Sequence, residues 1–308
     1  MKMVFIGAVR FSERCLMKLI ARKAGVLAVF TVPKEAANEI SDYADLEIIS
    51  REAKIPVYRC NDINDTQVLG QIKKIAPDVI FVFGFSQLLS EKLLKLPRLG
   101  CIGSHPTLLP LHRGRHPLVW TIIEGLSTSG LSFFYLDKGA DSGDILWQKS
   151  IPVSTDEDAA SLYEKICCVA EQAIDEFLPA LENGTAKRIP QDDSKATYWP
   201  KRSEADGEIQ WSKPAKELYA LIRALGRPYV GAHTFIDGKK VTIWRAKPCA
   251  EANPVKAASG IVADTHAGVA CVATGQGCLD VLEWEPKTLI TEGMLMRSEE
   301  KRYPKITK

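Results

Sequence analysis

The feature that most constrains this chain's fold is an alternation in its first hundred residues. Short apolar runs at 3–8, 25–32, 57–59 and 78–83 are separated by helical stretches at 13–22, 46–53 and 66–75. The run at 78–83 is apolar almost throughout, as expected of a strand covered by helices on both faces. Strands joined by crossover helices at this spacing build a parallel sheet, so the N-terminal part reads as an α/β, Rossmann-like domain. Ser12 is placed to cap the first helix, which turns Leu16, Leu19 and Ile20 inward. The first turn, Gly7-Ala8-Val9-Arg10, carries one glycine where a dinucleotide fingerprint needs three.

The chemistry-bearing residues cluster further on. Cys101-Ile102-Gly103-Ser104-His105 forms a short strand, and Pro106 stops it at once, because proline brings no donor and restricts its predecessor. That leaves His105 at a strand's carboxyl end, where open α/β sheets build their sites. A second polar loop at 137–144 follows the apolar run 131–136, so Asp141 can meet His105 across neighbouring strands as an orienting carboxylate. A third strand-end loop lies at 84–89. Short helices are expected over 91–96 and 117–125, the latter with Trp120 and Ile123 inward, and a strand over 145–153. A long amphipathic helix over 159–182 has Thr155 as its cap.

From Asn183 the texture changes. Domains are assigned to 1–190 and 207–308, with a polar linker at 191–206. The second domain has a helix over 214–225 and then a hairpin, 232–236 and 239–246, turned by Asp237-Gly238. Short strands at 260–264, 269–273 and 279–284 with glycine turns complete a smaller β-rich, OB-like barrel. The 308 residues accommodate both domains, and 46% hydrophobic with 25% charged residues suits a packed core rather than a disordered chain. A net charge of +2 does not suit a protein that holds nucleic acid mainly by charge. The eight cysteines (15, 60, 101, 167, 168, 249, 271 and 278) show neither CxxC pairs nor metal-ligand spacing, so buried thiols and no metal are expected. The N-terminus lacks signal-peptide form and no run approaches a bilayer span, which predicts a cytoplasmic protein.

His105-Pro106-Thr107-Leu108-Leu109-Pro110, then Arg113-Gly114, then Asp141-Ser142-Gly143, resembles the formyltransferases that use 10-formyltetrahydrofolate. These include methionyl-tRNA formyltransferase and the nucleotide-sugar N-formyltransferases. The stretch Ile222-Arg223-Ala224, followed by Pro228 to Thr234, resembles their C-terminal domain. The resemblance implies that an amine attacks the formyl carbon, that His105 moves the proton and that Asp141 orients it. It further implies an oxyanion donor at position 103, where the family's asparagine is Gly103 here. Ser104 is no substitute, since alternate residues of a strand face opposite ways; His116, Gln87 or a water are the remaining candidates. Folate contacts carry over to Gln87, Leu88, Leu89, Arg115, Asp137, Lys138, Gly139, Ala140 and Asp141, and Arg10 is the candidate for a substrate diphosphate.

Three functions follow from the resemblance. The first is formylation of a nucleotide-linked amino sugar, with a homodimer compatible. The second is formylation of methionyl-tRNA, and the third is non-catalytic folate or nucleotide binding because of Gly103. The segment 33–45 has Lys34 against Glu35, Glu39, Asp42 and Asp45, which makes tRNA a poor expected partner. The run Arg113-Gly114-Arg115-His116-Pro117 also resembles the sugar enzymes.

Overall fold

The computed structural model describes residues 1–249, 257–287 and 290–298. They form two compact units. One contains Met1–Pro117, Ser127–Val153 and Leu162–Lys201; the other contains Leu118–Leu126, Ser154–Ser161 and the described residues from Arg202 onward.

In the first unit the expected alternation appears as β1 (Met3–Ile6), α1 (Arg10–Ala21), β2 (Val26–Thr31), α2 (Glu47–Glu52), β3 (Val57–Arg59), α3 (Thr66–Ile75), β4 (Val79–Val82), α4 (Glu91–Leu94) and β5 (Cys101–His105). Then come β6 (Arg113–Gly114), α5 (Pro117–Ile123), β7 (Thr128–Tyr135), β8 (Ile145–Pro152), α6 (Ala159–Glu182) and β9 (Tyr198–Trp199). Seven strands make one sheet in the order β3-β2-β1-β4-β5-β7-β8. The first five are parallel, while β7 runs antiparallel to β5 and β8 to β7. All of β1 and β4 is buried. The strand order reverses between β1 and β4; open α/β sheets bind ligands at the carboxyl ends beside such a switch point, the same end at which β5 delivers His105.

Three local expectations are corrected. Helix α1 begins at Arg10, ahead of Ser12. The Ser12 hydroxyl lies inside the first turn, accepts from the Ala8 and Val9 N–H groups at 3.2 Å each, and donates to the Phe83 carbonyl at 2.5 Å. It thus ties the β1 loop to the end of β4 across the switch point. In α5 the buried residues are Leu118, Val119, Thr121 and Ile122, while Trp120 and Ile123 are half-buried. The Arg202 guanidinium covers the Trp120 ring at 4.7 Å, a cation–π contact that suits a half-wet indole. The cap of α6 is Asp158, whose carboxylate accepts the Ser161 N–H at 2.8 Å, rather than Thr155. The aspartate stands immediately before the first helical residue, where the orphan amides are.

The second unit contains α7 (Ala215–Leu225) and the strands β10 (Ala232–Ile236), β11 (Lys239–Pro248), β12 (Val262–His266), β13 (Val269–Ala273) and β14 (Cys278–Glu285). The antiparallel sheet runs β10-β11-β14-β13-β12. Asp237 and Gly238 both have positive φ, +48° and +73°, as a tight primed hairpin turn requires. Arg297 bridges Phe235 in β10, and Leu295 bridges Ile261 just before β12, so one short segment joins both sheet edges and closes the barrel. The stretch 191–206 is not a plain linker: it is divided at Lys201, and its first part is built into the first unit through β9. No helix among the described residues is long and apolar enough to cross a membrane.

Candidate active site

His105 ends β5, as Pro106 dictates, and its side chain is 5% exposed. Its Nε2 lies 2.8 Å from the His112 carbonyl. A carbonyl only accepts, so the proton sits on Nε2. Nδ1 faces Asp141 Oδ2 at 3.6 Å, beyond hydrogen-bond reach, and the contact is ionic only when the ring is protonated. The same oxygen accepts the Gly114 N–H at 2.9 Å. Asp141 therefore links the imidazole to the backbone of β6. Its own backbone is left-handed (φ +54°), and Gln191 Nε2 steadies it by donating to the carbonyls of Asp141 (2.9 Å) and Gly143 (2.6 Å).

The loop that supplies the His112 carbonyl is held from the segment 191–199. His112 donates its N–H to Thr197 Oγ1 at 2.8 Å, and its ring stacks on Trp199 with centroids 3.9 Å apart. Arg113 is 2% exposed, and its guanidinium donates to Gln191 Oε1 (2.8 Å), Asp193 Oδ1 (2.7 Å) and Tyr198 Oη (3.0 Å). A buried guanidinium needs such partners, and the rigid fork reaches three at once. Gly114 has φ +110°, and a Cβ there would stand 2.4 Å from the Trp199 carbonyl oxygen, so only glycine lets β6 lie against β9. Gln191, Asp193, Thr197 and Trp199 are the functional neighbours that sequence reasoning missed. Their polar, proline-flanked setting reads as a linker, and Trp199 is buried against the His112 ring.

The other expected site residues fall in different places. At Gly103 a Cβ would stand 2.6 Å from Leu136 Cδ2 and 3.1 Å from Cγ, so hydrocarbon fills the space where a longer side chain would go. Ser104 pairs with Phe133 and points to the other face of the sheet from residues 103 and 105. Gln87 is committed elsewhere: its Oε1 accepts from the Ile63 N–H and its Nε2 donates to the Asn61 carbonyl, at 3.0 and 2.6 Å. Leu88 is 74% exposed, whereas Leu89 packs on the core. Lys138, Gly139 and Ala140 are exposed around a turn in which Asp137 accepts from the Gly139 N–H and the Ser142 hydroxyl, both at 2.8 Å. Arg115 is exposed, and Arg10 pairs with Glu164 at 2.5 Å.

The cysteines depart from expectation. Cys15, Cys60, Cys101 and Cys167 are buried thiols, as anticipated, and Cys168 is exposed. Cys249, Cys271 and Cys278 instead converge, with their sulfurs within 4.8 Å of one another. Their spacing in the sequence gives no sign of this.

A buried histidine–carboxylate pair on adjoining strand-end loops of a largely parallel sheet is an arrangement chemically able to move a proton. The formyl transferase profile matches residues 1–178, and that of the formyl transferase C-terminal domain matches residues 201–295. Methionyl-tRNA formyltransferase of Geobacter metallireducens is 34% identical over 253 residues, 82% of this chain and 81% of that protein. The Alkaliphilus oremlandii enzyme of the same name is 31% identical over 285 residues, 92% of this chain and 91% of its own. Among solved structures, HypX from Aquifex aeolicus in complex with tetrahydrofolic acid matches with a TM-score of 0.68 at 20% identity. The match covers 92% of this chain but only 44% of HypX. WlaRD, a sugar 3N-formyl transferase with dTDP and 5-N-formyl-THF, matches at 0.65 with 15% identity over 93% of this chain and 98% of its own. This chain belongs to the formyl transferase family.

Proposed function

We propose that this chain is a cytoplasmic transferase that moves the formyl group of 10-formyltetrahydrofolate to a primary amine, the acceptor being the α-amino group of methionyl-tRNA. The observation that carries the chemistry is the His105–Asp141–Gly114 linkage at the strand ends. The acceptor follows the relatives, which are named methionyl-tRNA formyltransferase and are matched along most of their length. This reverses the order of the sequence-based expectation, which put the amino sugar first.

The donor is placed at the strand ends beside His105. Leu88 is a large apolar side chain left 74% exposed, which a flat ring would cover, and the exposed backbone at 138–140 offers groups to read its polar edge. HypX and WlaRD, solved with folates, support the donor. Bound there, it supplies an activated formyl carbon. When the amine attacks, positive charge grows on its nitrogen and negative charge on the formyl oxygen. As an incoming amine replaces the His112 carbonyl, the ring takes the tautomer with its proton on Nδ1, facing Asp141; Nε2 is then free to accept the amine's proton, and Asp141 balances the charge the ring carries. The leucine packed against Gly103 offers the oxygen no hydrogen bond, so this site works without the side-chain amide that the resemblance implies at that position.

A second reading, formylation of a nucleotide-linked amino sugar, is favoured by one observation. The corner after β2 is acidic and its cations are already matched: Lys34 pairs with Asp45 (3.2 Å) and Glu47 (3.6 Å), and Arg59 with the same two at 2.6 and 2.8 Å. Phosphate contacts dominate affinity for nucleic acid, and this corner supplies few. The test is formylation of methionyl-tRNA set beside formylation of dTDP-, UDP- and GDP-linked amino sugars, over a salt series. The first reading expects methionyl-tRNA to be the better acceptor, with kcat/KM falling steeply as salt rises. Faster transfer to a sugar establishes the second reading. Transfer to neither, with folate still bound, leaves a binding protein.

A further inference from the structure

The second unit carries a cluster that formyl transfer does not use. Cys249 follows β11, Cys271 lies in β13, and Cys278 and Asp280 lie in β14. Cys271 is paired directly with Asp280, Lys247 with Asp280, and the Cys249 N–H donates to the Cys278 carbonyl at 3.1 Å. Directly opposed residues of antiparallel strands share a face, and so do residues two apart. All four side chains therefore project from one face of three adjacent strands. The intervening residues Leu279, Val281, Ala270 and Val272 are fully buried, so the four stand on the outer face of the barrel.

The spacing of the three sulfurs is that of a coordination shell, and the Asp280 carboxylate borders it at Cys249. Cys249 Sγ lies 3.5 Å from Cys271 Sγ and 3.4 Å from Asp280 Oδ1, and all three sulfurs fall within 4.8 Å of one another. In a tetrahedral zinc site with ordinary bond lengths, sulfurs stand about 3.8 Å apart and a sulfur and an oxygen about 3.5 Å apart. Three thiolates this close together repel one another, and a dication between them is what would make the arrangement tolerable.

We propose that Cys249, Cys271, Cys278 and Asp280 bind one zinc-class divalent cation. The ion enters with loss of three thiol protons to solvent and no change of oxidation state. Three thiolates and a carboxylate around a dication leave a net charge of −2, which the Lys247 ammonium, 3.9 Å from Asp280, partly offsets. Four protein ligands close the coordination sphere, so the site is structural: it pins the end of β11 to β14 and β13.

The test is a cobalt(II) titration of the full chain, stripped with chelator and kept under a thiol reductant. One cobalt per chain is expected, with the visible absorption and sulfur-to-metal charge-transfer bands of a tetrahedral thiolate site, displaced by zinc(II). Cys249→Ser and Cys271→Ser, both at half-buried positions and checked for folding by circular dichroism, should lose those bands. Asp280→Asn should keep them but weaken binding by about tenfold or more. Cys168→Ser, an exposed thiol elsewhere, should bind as the parent does. Zinc should also raise the melting temperature of the parent and not of Cys271→Ser. Absence of the thiolate bands from the parent, their persistence in both serine variants, or a Cys249–Cys271 disulfide that survives the reductant would overturn the proposal.

Discussion

The His105 site and the Cys249 cluster are both laid on sheets, but they are assembled in different ways. The histidine, the carboxylate and the glycine amide that joins them come from strand-end loops within 37 residues of chain, each loop announced by a proline or glycine. In the cysteine cluster three of the four residues lie within strands and Cys249 directly follows one, so strand register brings them to one face. Loop-built sites leave local punctuation in a sequence, whereas register-built sites leave none.

If the loop-built site is a unit, breaking its chemistry costs far more than disturbing its frame. The largest effect is expected from Asp141→Asn. It keeps the shape and removes the charge facing Nδ1, and should lower kcat by about 10²–10⁴-fold with little change in melting temperature. Unchanged kcat would reduce Asp141 to a loop brace. The next effect is a gain. Gly103→Asn alone should overpack against Leu136 and cost about 1–3 kcal/mol in a denaturant titration. Combined with Leu136→Ala it should recover that stability and raise kcat by up to about 10²-fold, the scale of one oxyanion donor. A double variant no faster than the parent would show that position 103 lies off the path of the formyl oxygen.

Gly114→Ala tests the frame. Its Cβ meets the Trp199 carbonyl and its φ is positive, so a loss of about 1–3 kcal/mol is expected, with kcat falling as β6 leaves β9. The smallest effect belongs to the acidic corner. Although burial pushes the Asp45 carboxyl up, the Glu47 N–H, Arg59 and Lys34 together hold it below its ordinary value. Its contribution is therefore present above the ordinary carboxylate value and lost as pH falls through the lowered one. Lys34→Met should cost within about 1 kcal/mol at neutral pH, and less in acid, by urea titrations at two pH values.

Much of this was legible in the chain. The parallel strands, the stop at Pro106 and the Asp237-Gly238 turn follow from local rules that tertiary contacts do not override. His105 and Asp141 were legible for the same reason. The clamp was not: Gln191, Thr197 and Trp199 act through backbone and ring contacts to residues some eighty positions earlier, and a polar stretch carries no mark of what it will touch. That the Gln87 amide serves a neighbouring loop is visible only in three dimensions. Gly103 was legible as a departure, but the leucine that fills its space is visible only in three dimensions.

The central claim is that His105 moves the proton in formyl transfer. The most direct measurement is the pH profile of kcat/KM for 10-formyltetrahydrofolate-dependent formylation, in the parent and in His105→Ala, with the better acceptor found in the salt series. The expected result is a profile in the parent with an ionisation that His105→Ala lacks, and a rate in that variant about 10²–10⁴-fold lower. A His105→Ala protein with the parent's rate and the parent's profile would contradict it.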